Sequence, residues 1–415
     1  MGRLIYILVC ICATTPLVSS KCMPLTPKQF QRAEQAARQW APLVWLAPGE
    51  RYFPSSALDF LSHTRIKQSE SALTDNLIQQ GPPLHTTLPT GSQSKKIFLE
   101  TIEDLDSLLA NASSFLHGHS PMFYSVPVYA VISSCCPARL LVDNQLHPLG
   151  DSPVLQDSPK NITVPSDDFD FEITYWLFFP YSEGKRVCTV NAGALGPLPI
   201  PWLRTACLGS VRSYGSHVGD WEHVTLAFRR SGEPSAMYVS THEAGALYSL
   251  PPDSQHRGGR TWTYSGHELR RGGRLQNPRF PRRGFALQSG RPVLFAAKGS
   301  HGLWTLPGRH KYVTFPNLED ETGFGIAWNT WQNLQVLAWP ASGMDQPRWL
   351  GFQGHWGNPR SGCHPLSQQV CQISDGPQGI PMKKHAFRCL NTAASKQITR
   401  IQLSSANNLR TNKIN

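Results

Sequence analysis

The sequence predicts a mainly β protein: an antiparallel, sandwich-like single domain with an N-terminal helix and long loops. Three observations lead there. From Tyr124 onward, short apolar runs alternate with Gly, Pro and Asn. No sustained helical periodicity competes with them. The runs are spread evenly, with no linker and no internal repeat between them, which favours one domain over two.

Residues 1–20 read as a secretory signal. Arg3 supplies the positive end, Leu4 to Cys12 an apolar stretch too short to span a bilayer, and Val18-Ser19-Ser20 the small residues before a cleavage site. The β-rich domain is then expected over 21–390. Thr26-Pro27-Lys28-Gln29 starts a helix: a Thr cap, Pro at the first position, Gln three after the cap. It continues through Ala33, Ala36, Ala37 and Trp40, and Pro42 ends it. Residues 67–94 are polar, broken by Gly and Pro, and read as a loop. Glu100 to Leu109 reads as a short helix. Strands are expected at Val126 to Ile132, Phe171 to Phe179, His223 to Phe228, Ala236 to Ser240, Arg291 to Ala297 and Gln335 to Trp339. The tail 391–415 is rich in Ser, Asn, Thr and Gln, the composition of a disordered segment. No later stretch has transmembrane length, so the mature chain is expected to be soluble or peripheral to a membrane.

Removing the signal takes Cys10 and Cys12 and leaves eight cysteines. An even count in a secreted chain points to disulfides, and the absence of any CxxC pair weighs against zinc. Cys188 with Cys207 and Cys363 with Cys371 are the expected local pairs. Asn111-Ala112-Ser113 and Asn161-Ile162-Thr163 are glycosylation sequons. These features place the protein outside the cell or in a vacuolar or lysosomal lumen.

The net charge is +11, and +10 once Arg3 leaves with the signal. Arginines cluster in a Gly- and Pro-rich stretch that includes Arg270, Arg271, Arg282 and Arg283. Such a stretch is a loop. It is either simply solvated or a contact for anionic glycans or lipid head groups. Secretion makes nucleic acid the weakest partner, and none is expected.

The densest chemistry lies in His217-Val218-Gly219-Asp220-Trp221-Glu222-His223, where four of seven residues bind metal or move protons. On a regular strand His217, Trp221 and His223 share one face and Asp220 and Glu222 the other. A β-bulge at Gly219 would break that alternation. Adjacent carboxylates need a cation, donors or water. With His242 and His301, the latter in a Gly-flanked turn, the set Asp220, Glu222, His242, His301 and His217 suits a divalent cation such as calcium, magnesium or manganese. The competing reading is a buried hydrogen-bond network. Trp221 is expected in the core or, with His223 and the arginines, against a ligand.

Six blocks together resemble the vacuolar protein sorting-associated protein 62 family. They are Ala41-Pro42-Leu43-Val44 with Tyr52-Phe53-Pro54-Ser55-Ser56; Ile173 to Tyr181; His217 to Val224; Tyr238 to His242; Ala297 to Gly302; and Trp356-Gly357-Asn358-Pro359 with Gly376 to Pro381. The resemblance implies a β-rich single domain with the acidic and histidine motif as its hallmark, and a link to vacuolar protein delivery. The motif alone also resembles the necrosis- and ethylene-inducing toxin-like family. There such residues surround a divalent cation on a β-sandwich and serve membrane damage. This chain has Ser216, Val218 and Gly219 where that family has Gly, Arg and a second His.

Three function classes follow. The first, and the one chosen, is a non-catalytic β-rich binding protein for a lipid head group or glycan, in peripheral contact with a membrane. The second is a membrane-damaging effector. The third is a hydrolase using Asp220 and Glu222. No Ser or Cys nucleophile motif and no zinc-hydrolase helix supports the third.

Overall fold

The twelve-residue strand His217–Phe228 is paired along its length with another twelve-residue strand, Phe171–Ser182. Around this pair an eight-stranded sheet forms in the order Arg283–Phe285, Thr261–Leu269, Ala244–Ser249, Pro234–Thr241, His217–Phe228, Phe171–Ser182, Val128–Ser134, Leu334–Trp339. The computed structural model describes residues 25–68, 83–134, 139–142, 145–148, 169–204, 206–229, 232–250, 261–269, 276–314, 317–339 and 346–383. The signal, Asn161, Arg270, Arg271, the other four cysteines and the tail lie outside the described residues.

Phe171–Ser182 is buried at every position. A strand that apolar must be covered on both faces, and it is. On one face Ile173, Tyr175, Leu177 and Phe179 join Val224, Leu226 and Phe228. They pack against the N-terminal helix and a four-stranded sheet, Leu303–Trp304, Val293–Ala296, Leu43–Leu46, Ile326–Asn329. On the other face Trp176 and Phe178 join Trp221, Phe60, Trp349 and Trp356. This sandwich of sheet on sheet agrees with the predicted class, with one correction. Leu43–Leu46 runs parallel to Val293–Ala296, and Leu334–Trp339 parallel to Val128–Ser134. Parallel pairs need long connections, and both join segments far apart in sequence.

The helix Pro27–Trp40 forms as its cap predicts. Gln29 donates its backbone N–H to Thr26 Oγ1 at 3.3 Å, and Thr26 donates its own to Gln29 Oε1 at 3.0 Å. Ala33, Ala36, Ala37 and Trp40 make the buried stripe. Two local expectations are corrected. Glu100 belongs to the strand Ile97–Thr101, and the helix starts only at Leu105, where Asp104 caps it through the Ser107 N–H. Lys67 and Gln68 end the strand Thr64–Gln68, and the polar stretch holds two short helical turns, Leu84–Thr87 and Ser92–Ser94. Both expected disulfides form, Cys188–Cys207 and Cys363–Cys371.

One glycine decides which way the opening motif faces. Gly219 has φ +68°, and a Cβ there would lie 2.2 Å from the Trp356 carbonyl oxygen. Pairing with Phe171–Ser182 keeps its register through this point, so no residue is bulged out. The positive φ nevertheless breaks the alternation. Val218 packs in the same cluster as Trp221, and His217 has Asp220 and His301 as charged neighbours. His217 therefore lies on the carboxylate side, not with Trp221 as a regular strand would have it. Gly219→Ala is expected to cost about 2–5 kcal/mol in urea denaturation, the sum of left-handed strain and a backbone clash. Gly215→Ala, at φ +82° with nothing within 4 Å, is expected to cost only about 1–2 kcal/mol. Equal losses would show that the close approach to Trp356 is unimportant.

Candidate functional site: a buried carboxylate and histidine network

Asp220 and Glu222 point to the face that the 297–304 turn closes. Both are buried, at 5% and 7% exposure. His301 comes from that turn with φ +58°, a left-handed backbone that is rare for a residue with a Cβ. Its ring stacks flat on Phe179 with centroids 3.8 Å apart. Its Nδ1 lies 3.2 Å from Asp220 Oδ2 and its Nε2 3.0 Å from the Tyr52 carbonyl oxygen. Both partners only accept, so the ring satisfies both as the doubly protonated imidazolium. Burial opposes that charge, but the Asp220 hydrogen bond and the charges of Glu50 and Asp220 raise the His301 pKa above its ordinary value. Burial likewise works against the Asp220 anion. The His301 hydrogen bond and the nearby His217 outweigh it and hold Asp220 below the usual carboxylate range.

Glu222 is different. Ser240 Oγ donates to its Oε2, and Ser240 Oγ in turn accepts the His223 backbone N–H at 3.1 Å. Burial first, then the Asp220 charge, push the Glu222 pKa up to about 7. His217 donates from Nδ1 to the Gly219 carbonyl oxygen at 2.7 Å. Burial lowers its pKa, so the ring is neutral at pH 7.

The second half of the network centres on Asp320, which has no exposure. Its Oδ1 accepts from Lys185 Nζ at 2.8 Å and Ser300 Oγ at 2.9 Å. Its Oδ2 accepts from His242 Nε2 at 2.7 Å and Trp304 Nε1 at 3.0 Å. Burial works against this carboxylate too, but His242 and Lys185 hold it well below the usual range. His242 has φ +49° and stacks on Tyr312 at 4.0 Å. Burial disfavours its charged ring, yet Asp320 raises its pKa. Gly302 lets the two halves meet, with Asp320, Thr241 and His242 about one Cβ contact away. Glu50 holds the turn from outside by accepting the Gly299 N–H at 2.8 Å.

Of the sequence-derived residues, the structure thus gathers Asp220, Glu222, His217, His242 and His301. Trp221 and His223 lie on the opposite face. Trp221 is enclosed by Phe178, Trp349 and Trp356, and His223 stacks on Trp176 at 4.3 Å. Arg282 and Arg283 are exposed beside and on an edge strand. Asn111 is exposed just after its helix. Sequence reasoning missed Asp320, Lys185, Glu50 and Lys383, whose charge acts on Asp220 and Glu222. Alternation gave a signal for one of them: Asp320 faces inward in Leu318–Thr322, opposite in phase to Glu319 and Glu321.

These donors do not fit a divalent cation. Both His301 nitrogens and the His242 Nε2 are committed to acceptors, and Glu222 holds its proton near neutrality. Among the described residues, no three His, Cys, Asp or Glu side chains converge on one point as ligands do.

Two proteins of Saccharomyces cerevisiae are similar to this chain. Vacuolar protein sorting-associated protein 62 is 27% identical over 235 residues, covering 52% of this chain and 41% of that protein. TDA6, provisionally named a vacuolar protein sorting-associated protein, is 24% identical over 374 residues, covering 83% of this chain and 65% of its own length. This chain is a homologue of vacuolar protein sorting-associated protein 62. It spans less than two thirds of either relative. No family model and no solved structure matches it. The match to vacuolar protein sorting-associated protein 62 agrees with the likeness carried by the six sequence blocks.

Two measurements test the network. Asp320→Ala strands Lys185 and His242, and is expected to cost about 3–5 kcal/mol in chemical denaturation. A loss under 1 kcal/mol would mean that water already solvates these groups. Glu222 binds its proton more tightly folded than unfolded, so its contribution is full below pH ~4.5 and fades as pH rises through about 7. Wild type is therefore expected to lose about 3 kcal/mol relative to Glu222→Gln between those values. A pH-independent difference between the two proteins would contradict the raised pKa.

Proposed function

We propose that the protein is a non-catalytic binding protein of the secretory route, acting outside the cell or in a vacuolar or lysosomal lumen. Its ligand is an anionic, oxygen-rich group, the head group of a lipid or a charged glycan. The two disulfides support an oxidising compartment, and the names of the yeast relatives support the vacuolar connection. The buried network supports the non-catalytic part of the reading, because its charges are answered by internal partners.

One observation carries the ligand class. A cleft of about 290 Å³ is lined by Arg186, Ile200, Trp202, Thr314 and Asn317 among others, none of which belongs to the network. That volume suits one head group or one sugar ring. A guanidinium recognises phosphate, sulfate or carboxylate through paired donors. The indole offers a flat apolar wall, and the hydroxyl and amide orient the ligand.

Isothermal titration with glycerophosphoserine and with a sulfated oligosaccharide tests this and separates the two sources. Arg186→Ala is expected to weaken the binding partner about tenfold or more. No heat with either probe would remove the reading. The Glu222 pKa near 7 favours a second reading, a hydrolase with Asp220 and Glu222 as its acid and base. Turnover of an ester or glycoside panel that vanishes in Glu222→Gln would replace the first.

A further inference from the structure

The excursion from Lys185 to Tyr214 has an unusual surface. It forms a three-stranded sheet, Ser210–Tyr214, Lys185–Asn191 and Pro197–Pro199, closed by the Cys188–Cys207 disulfide. Register shows which side chains share a face. Val190 is paired with Leu198, and Val211 with Cys188. Paired residues point the same way, as do residues two apart on one strand. Val190, Leu198 and Val211 therefore share one face around the disulfide, and all three are exposed. Val187 and Thr189, on the other face of the middle strand, are buried. The sheet thus turns its apolar face outward. The loop between Pro197–Pro199 and Ser210–Tyr214 adds Leu203 and Leu208, 57% and 73% exposed. Single exposed leucines need no explanation, but a contiguous apolar face of this kind marks an interaction surface.

Charge identifies the occupant. Residues 185–214 contain no Asp or Glu. Their cations are Lys185, which is committed to Asp320, and the exposed Arg186, Arg204 and Arg212; Arg186 shares the face of Cys188 and Val190, whereas Arg212, paired with Val187, lies on the opposite one. The neighbouring hairpin, Ser361–His364 with Ser367–Ile373, also lacks Asp, Glu, Lys and Arg and exposes Leu366. It is joined to the excursion where the Gly215 N–H donates to the Cys371 carbonyl oxygen at 2.9 Å.

We propose that this face docks on the surface of an anionic lipid bilayer. The leucines enter the acyl boundary, and Arg204, next to Leu203, meets lipid phosphates and carboxylates. A bilayer supplies an apolar layer and an anionic layer in the order this face presents them. The disulfide and Pro197, Pro199 and Pro201 hold the loop in shape beforehand, which lowers the ordering cost of insertion. The inference goes beyond the cleft and needs no ligand bound in it.

The test is cosedimentation of the secreted full-length protein with phosphatidylcholine vesicles, with and without phosphatidylserine. Wild type is expected to bind the phosphatidylserine vesicles and to be released by added salt. Leu203→Asp/Leu208→Asp, at exposed positions, is expected to bind about tenfold or more weakly with an unchanged melting temperature. Arg204→Glu is expected to lose much of the preference for phosphatidylserine. Wild type that sediments with neither vesicle, or a leucine variant that binds like wild type, overturns the proposal. A wild-type dimer that the leucine variant dissolves, without vesicle binding, overturns it too and gives the face to a second copy. Glycerophosphoserine titration of the leucine variant reports the cleft alone, so failure of the cleft and failure of the docking face are told apart.

Discussion

A carboxylate with no access to water must find its donors inside the protein, and Asp320 finds four. Lys185, Ser300, His242 and Trp304 reach it from different parts of the chain. Removing any one leaves a buried charge short of a partner, so departures from this arrangement of the segments are costly. Ser300 is followed by His301, and His301 carries the charge that answers Asp220. The two halves of the network thus share one turn. The left-handed backbones of His301 and His242 are the strain that this arrangement holds in place.

The same logic explains why Asp220 and Glu222, two residues apart on one strand, differ in charge. Asp220 faces an imidazolium and stays ionised. Glu222 faces a hydroxyl and the Asp220 anion, and its pKa is pushed up to about 7. Buried carboxylates separate in this way when a hydrogen-bonded cation answers one of them and the other is left to burial and its neighbour's charge. In this arrangement the motif forms an internal salt bridge, Asp220 with His301, beside a carboxyl that titrates near neutrality.

Local signals were legible in the sequence and long-range ones were not. The Thr26–Gln29 cap and the run from Ile173 to Phe179 each depend on near neighbours, and both were read correctly. Both disulfides also close short loops. Leu43–Leu46 was passed over because four residues between prolines carry no strand pattern, and their partners are Val293–Ala296 and Ile326–Asn329. The side on which His217 lies depends on the φ of Gly219, set by the Trp356 backbone far along the chain. Asp320 lay hidden between two glutamates, and only the phase of its strand marked it as buried.

The parallel pairing of Leu43–Leu46 with Val293–Ala296 has a consequence for how the chain is made. The first strand cannot be seated until nearly three quarters of the sequence has been synthesised. Until then Phe171–Ser182, buried on both faces in the finished protein, lacks the four-stranded sheet over one face, and Trp349 and Trp356 of the other face are made later still. Contacts of such separation close slowly, because the intervening chain must surrender its freedom first. The nascent polypeptide therefore passes through a long interval in which its most apolar strand is incompletely clothed on both faces, and the helix capped by Thr26 waits to be locked in by residues made hundreds of positions later.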